Sequence, residues 1–141
     1  MKILITTAEK EIYRAKACSL VGSTTNGELK IYQGHAPLLA ILRPGIVRID
    51  CLPDCHCPDI KHEHIVVLGG FMEIQPDAIT ILADAVERSE QLDITQASQA
   101  VQHAKDHFHH ASPANSHQAL IALEIAIARF TVVKSANKFI K

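Results

Sequence analysis

The sequence predicts a chain in two parts, a β-sandwich or barrel followed by an antiparallel pair of helices. Three observations carry that prediction. All six Gly fall at or before Gly70, and five of the six Pro fall at or before Pro76, the sixth being Pro113. Turn-forming clusters recur about every 8–12 residues through that first part, with short β-rich runs between them, the spacing of a sandwich or barrel. After Leu92 come ten Ala and no Gly, a composition that favours helix because Ala loses no side-chain entropy there.

Taken in order, Met1-Lys2-Ile3-Leu4-Ile5-Thr6-Thr7 carries one charge and is too short an apolar run for a signal peptide. Cys18 lies in a strand-like run and reads as a small core residue. The turn signals are Ser23-Thr24-Thr25-Asn26-Gly27, Gln33-Gly34, Pro44-Gly45, Pro53-Asp54, Gly69-Gly70 and Gln75-Pro76-Asp77. Strand-like runs between them include Ile46-Val47-Arg48-Ile49, His64-Ile65-Val66-Val67-Leu68 and Ala78-Ile79-Thr80-Ile81-Leu82. The boundary between the two parts lies near residues 87–92, dividing the chain into a β domain over 1–88 and a helical domain over 89–141.

In the second part Asp93 can N-cap a helix, with Gln96 three residues on as a variant capping box. Ala97, Val101, Ala104 and Phe108 then share one apolar face. Ser112-Pro113 is placed to cap and begin a second helix, whose stripe is Ala119, Leu123, Ala126, Ile127 and Phe130. Two such helices with a short connection form an antiparallel hairpin by default. Much of its interface is alanine, and a methyl contributes far less than the roughly 1.5–3 kcal/mol of a buried Leu or Ile. The hairpin is therefore expected to be marginal and openable by a competing partner with a few kcal/mol of differential affinity.

Composition narrows the function. The 141 residues carry 14 Lys+Arg and 15 Asp+Glu, a formal charge of −1, which argues against nonspecific nucleic-acid binding. Aromatics are 4% and Trp is absent, so the core is aliphatic and platforms for base stacking are not expected. The most apolar stretch, Ala119 to Ala128, is interrupted by Glu124 and falls short of the ~18 residues that span a bilayer. Four Cys without a secretion signal read as reduced cytosolic thiols.

The stretch Asn26-Gly27-Glu28-Leu29-Lys30-Ile31-Tyr32-Gln33-Gly34-His35-Ala36-Pro37-Leu38-Leu39 resembles the epsilon subunit of bacterial proton-translocating F-type ATP synthase. So do Arg43-Pro44-Gly45-Ile46-Val47-Arg48-Ile49 and Gly69-Gly70-Phe71-Met72-Glu73-Ile74-Gln75-Pro76, with Ile79-Thr80-Ile81-Leu82-Ala83-Asp84 continuing into Leu92-Asp93. The segments come in the family's order, and the resemblance covers essentially the whole chain. It implies a flattened ten-stranded β-sandwich, two five-stranded sheets, followed by the helical hairpin. It implies a non-catalytic rotor subunit that binds the gamma subunit and the c-ring. It implies further that the helices can extend to the alpha and beta subunits and restrain ATP hydrolysis. Membrane contact would come only through the complex, on the cytoplasmic side of the bacterial inner membrane.

Within that frame, the loop between Gly27 and Gly34 presents Glu28 and His35 at the end that in the family faces the c-ring. Lys30 and Gln33 stand where the family usually has Gly and Pro. Some members bind ATP between the folded helices through an aliphatic residue, Asp, two variable residues, Arg and Ala. Here Leu92-Asp93-Ile94-Thr95-Gln96-Ala97 has Gln96 in place of the arginine, removing the planar cation suited to phosphate. Arg129 alone is a weak phosphate site, so no cofactor is expected and ATP binding is disfavoured.

Two other clusters invite chemistry. Cys51, Cys55 and Cys57 with His56, His62 and His64 make one ligand-rich stretch, and a small metal-binding module is the alternative function it suggests. Cys55-His56-Cys57 is too tight for a typical zinc knuckle, and Pro53 and Pro58 restrict the chain, so a solvated loop is the preferred reading and no metal is assigned. His103, His107 and His110 share the polar face of the first helix and gain charge on mild acidification. That face is expected to be solvated, with docking against acidic surface of the catalytic hexamer as its functional alternative. No phosphate-cradling Gly-rich loop, GxSxG elbow or HExxH occurs, and Glu73, Asp77 and Asp84 have no acid–base partner in the sequence. No catalytic constellation is expected.

Overall fold

The computed structural model describes residues 1–52, 61–88 and 92–139, with side chains described as far as Lys134. Seven strands and two helices follow one another: β1 (Lys2–Thr6), β2 (Glu11–Thr24), β3 (Gly27–Tyr32), β4 (Leu38–Cys51), β5 (His62–Ile74), β6 (Ala78–Ala83), β7 (Val86–Arg88), α1 (Ile94–His110) and α2 (Ser116–Phe139). The sheet order is β1-β6-β5-β4-β2-β3, and β1 also pairs with β2, so five strands close a ring. β1 runs parallel to β6; the other pairs are antiparallel. Closure leaves few free edges, the hazard that open sheets must manage.

The interior is aliphatic, as the shortage of aromatics requires. Ile3, Ile5, Leu20, Ile31, Ile49, Met72, Ile74, Ile79 and Ile81 are each at most 1% exposed and form one cluster. Each comes from the inward set of an alternating strand, as in the pattern of β6, where Ile79, Ile81 and Ala83 point in.

Among the described residues seven strands stand where ten were expected, and the reason is local. β2, β4 and β5 are 14, 14 and 13 residues long and pass round the corners of the flattened barrel unbroken. The turn signals Pro44-Gly45 and Gly69-Gly70 lie inside β4 and β5, where Pro44 pairs with Leu68 and Gly70 with Leu42. They bend strands and do not reverse the chain, as bulges and glycines do in closed sheets. β5 changes partner there, from β7 at Ile65, Val66 and Val67 to β6 from Gly70 onward. At Gly70 φ is +120°, and a Cβ would stand 2.2 Å from the Leu82 carbonyl oxygen, so only glycine fits.

Asp93 N-caps α1, its carboxylate accepting from the backbone N–H of Thr95 and Gln96 at 2.7 and 3.0 Å. Pro113 does not begin the second helix. It occupies a turn closed by Asn115 N–H donating to the Ser112 carbonyl at 2.9 Å, and α2 starts at Ser116. Pro is well suited to that inner turn position because its φ is already fixed there.

α1 packs on α2, and α2 packs on β4 and β5. The second apolar cluster is small: Val66, Ala128 and Val132, flanked by Ile46, Leu68 and Leu92. The expected stripes are modified. Ala97, Ala119 and Ala126 are buried, Val101, Ala104, Leu123 and Phe130 are partly buried, and Phe108 is exposed. Ile127 is 44% exposed, because α2 turns Ala128 and Val132, not Ile127, toward the sheet. Residues Ser116–Lys134 have a mean hydropathy of 1.3, so by length and composition alone this helix could cross a membrane. The expected apolar run was too short because Phe130, Val132 and Val133 extend it beyond Ala128.

Candidate interaction surfaces

Strand register assembles the first surface. Leu39 pairs with Glu73, Ile41 with Phe71, and Phe71 in turn with Leu82. Directly opposed residues share a face, so Leu39, Ile41, Phe71 and Leu82 form one apolar patch on β4, β5 and β6. Their exposures are 68, 53, 49 and 48%. It lies beyond the Pro44 and Gly70 corners from Ile46, Val66 and Leu68, the residues that meet α2. These four are not legible as a group in the sequence. The alternation of Leu38-Leu39-Ala40-Ile41-Leu42 was the available signal, but it could not say which set faced outward.

The second surface surrounds β3. The segment between Gly27 and Gly34 is not the expected loop. Gly27–Tyr32 is a strand paired with β2, with Ile31 fully buried and Leu29 partly so. Glu28 and His35 therefore stand at opposite ends of β3. Gly27 and Gly34 do adopt positive φ, 113° and 86°. Glu28 is exposed and lines a groove with Arg43, Glu124 and Ile127, between the sheet and α2. The His35 ring Nδ1 is 2.7 Å from the Ala36 carbonyl, a local bond that fixes the turn. Lys30 lies over the Tyr32 ring, Nζ 5.0 Å from its centroid.

The third surface is the seat of α2. Arg129 makes a bidentate pair with Glu87 of β7, 2.7 Å through Nε and 2.5 Å through Nη2. The Glu87 carboxylate holds the Arg129 guanidinium above its ordinary pKa. Arg43 of β4 pairs with Glu124 of α2. These two ion pairs fasten the helix on either side of the Val66–Val132 contact. Asp93, Gln96, Ala97 and Arg129 do line one hollow, together with Glu87. Its one arginine is already engaged by that carboxylate.

The Cys/His stretch separates into parts. Cys55 and Cys57, with His56, lie outside the described residues. The His62 Nδ1 is 2.7 Å from Asp50 Oδ1, while Ser19 Oγ donates to Asp50 Oδ2 at 2.5 Å and Arg48 is ion-paired to Asp50. These bonds outweigh the burial that would raise it, so the Asp50 carboxyl sits below its usual range. Burial, with the Arg48 charge, lowers the His64 pKa. Cys51 faces the Tyr13 hydroxyl at 3.5 Å, and burial raises both of their pKa values. Cys18 is half-buried, not in the core, its thiol donating to the Asp50 carbonyl at 3.1 Å. Among the described residues no group of three or more His, Cys, Asp or Glu is placed to hold a metal ion. His103, His107 and His110 are exposed on α1, the His110 Nδ1 lying 2.7 Å from the Asp106 carbonyl.

A closed β-barrel bearing an open apolar patch, with a small-residue helical hairpin clamped to another face, defines a protein built to be held by partners. Residues 1–89 match the family model described as ATP synthase, Delta/Epsilon chain, beta-sandwich domain. The ATP synthase epsilon chain of Chromobacterium violaceum is 35% identical over 140 residues, covering 98% of this chain and 96% of that one. The epsilon chain of Nitrosospira multiformis is 37% identical, covering 95% and 93%. This chain belongs to the ATP synthase epsilon-chain family. Among solved structures, a chain of the Euglena gracilis mitochondrial ATP synthase, described as OSCP/F1/c-ring in rotational state 1, matches with a TM-score of 0.71. It is 22% identical and covers 95% of this chain and 79% of its own. One from the Tetrahymena thermophila mitochondrial ATP synthase, central stalk and c-ring, has a TM-score of 0.57 at 14% identity, covering 96% and 95%. Those two likenesses are of fold.

Proposed function

We propose that this chain is a non-catalytic rotor subunit of an F-type ATP synthase, peripheral on the cytoplasmic side of the membrane. In this reading the barrel is the anchor. Its apolar patch docks on the gamma subunit, and the β3 end of the barrel approaches the c-ring, Glu28 being the charge offered there. The single observation that carries the reading is the patch of Leu39, Ile41, Phe71 and Leu82. Four large apolar side chains about half exposed on one sheet face mark a protein interface.

The helical domain, residues 89–141, is the proposed restraint on ATP hydrolysis. Its seat is two ion pairs and a small apolar cluster with three buried members, Val66, Ala128 and Val132, little enough to be released toward the alpha and beta subunits. Nucleotide is not proposed as its regulator, because Gln96 offers no cation and Glu87 already holds Arg129. The metal-module alternative gains no support from a His62 that is committed to Asp50.

The test is ATP hydrolysis by a catalytic sector stripped of this subunit, titrated with the full chain and with a version ending at Arg88. Binding by both with inhibition by the full chain alone is the expected result. Failure of both to bind would refute the assignment of the barrel as anchor. Binding by both with inhibition by neither would leave a coupling subunit and remove the restraint from the proposal.

A further inference from the structure

The antiparallel pairing of β1 with β2 sets Lys2 directly opposite Lys16, and Leu4 opposite Arg14. Both lysines are exposed. Together with Arg14, Leu4, Ala15, Ala78 and Thr80 they border a hollow on the outer sheet surface. Like charges directly opposite on a sheet destabilise it, and nothing within the described residues relieves this pair. Glu11, the nearest acid along β2, is committed to Arg14 at 2.9 and 2.7 Å. Asp77 meets Lys2 through its backbone, its carbonyl accepting the Lys2 N–H at 2.8 Å. Among the described residues no carboxylate lies within ion-pair distance of either ammonium.

Local conflicts kept in an otherwise consistent sheet are expected at functional or strained positions. Thr80 joins the hollow to the apolar patch. It pairs with Leu4 on one side and with Glu73 on the other, and Glu73 pairs with Leu39. The lysine pair is thus the cationic border of the same outer face.

We propose that Lys2 and Lys16 receive an acidic side chain, Asp or Glu, of the rotor polypeptide that covers the apolar patch. The inference rests on the docking reading above and adds the chemistry of one subsite to it. The patch supplies burial without direction. A carboxylate seated between two ammonium groups fixes register and speeds encounter, and it relieves the repulsion only when the partner is bound.

The experiment measures two quantities on the full chain: its thermal midpoint alone, and its affinity for the stripped catalytic sector across a range of salt. Lys2→Glu places a carboxylate opposite Lys16. The expected result is a higher midpoint with at least tenfold weaker binding and a shallower salt dependence. Lys16→Gln should weaken binding by a smaller factor without lowering the midpoint. Phe71→Ser should weaken binding at every salt concentration.

If Lys2→Glu raises the midpoint and leaves affinity and salt dependence unchanged, the slot takes no carboxylate and the inference is overturned, while loss of binding by Phe71→Ser still supports the face. If Phe71→Ser also binds normally, the docking reading itself fails. Loss of retention on phosphatidylglycerol vesicles by Lys2→Glu, with rotor affinity intact, would assign the slot to a lipid headgroup and overturn the proposal.

Discussion

Replacing Val132 by Ala should release α2 from the barrel without unfolding the barrel. Val132 is 1% exposed, against Val66 at 0% and Ala128 at 5%, in a cluster that shares no residue with the barrel interior. The substitution removes two carbon groups, about 1.6 kcal/mol at ~0.8 kcal/mol for each. The void left behind raises the cost to about 2 kcal/mol. At 1.4 kcal/mol per factor of ten, the released fraction rises roughly 30-fold. Tryptic cleavage after Arg129 reads that fraction, because Arg129 is ion-paired to Glu87 while the helix is seated and cleavage tracks the open population when reclosing is fast. Cleavage after Lys16, inside β2, should hardly change. If both sites accelerate by the same factor, hairpin and barrel open as one unit, and the reasoning from two separate clusters is wrong.

Gly70→Ala should cost about 3 kcal/mol or more, combining an unfavourable φ with a backbone overlap, and a urea midpoint shift of that size is the check; near-wild-type stability would mean that the β5 corner relaxes freely. Stability should also fall in acid. Asp50 has a folded pKa below its unfolded value, so its contribution is present above the unfolded value and is lost as pH falls through the folded one. His64, also depressed, adds a loss of the same sign beginning near its unfolded value of about 6.5. Asp50→Asn should flatten the lower limb of a stability–pH curve and, because the Asp50 charge partly offsets the lowering of the His64 pKa, deepen the His64 limb; an unchanged lower limb would deny Asp50 its part. His64→Gln should flatten the upper limb, and an unchanged upper limb would exclude burial of His64 as its cause.

The sequence by itself determined the order of parts and the chemistry of the core. All six Gly and five of the six Pro in the first part, and ten Ala with no Gly in the second, separate barrel from hairpin because each residue's backbone preference is local. Asp93 as a cap was legible for the same reason, since its carboxylate reaches amides only two and three residues away. The stretch around Glu28 and His35 was legible as a resemblance, yet its strand geometry was not, because Ile31 is drawn into the core by β2.

Only the tertiary structure decided which turn signals bend and which reverse. Pro44-Gly45 and Gly69-Gly70 look like hairpin turns, and they become corners because each strand finds a continuous partner on both sides of the bend. The same holds for the surfaces. Leu39, Ile41, Phe71 and Leu82 meet through register alone, Arg129 finds Glu87 across 42 residues of chain, and Lys2 faces Lys16 because β1 folds back on β2. Side-chain alternation is written in the sequence, but the face it serves is set by long-range pairing, which no local preference encodes.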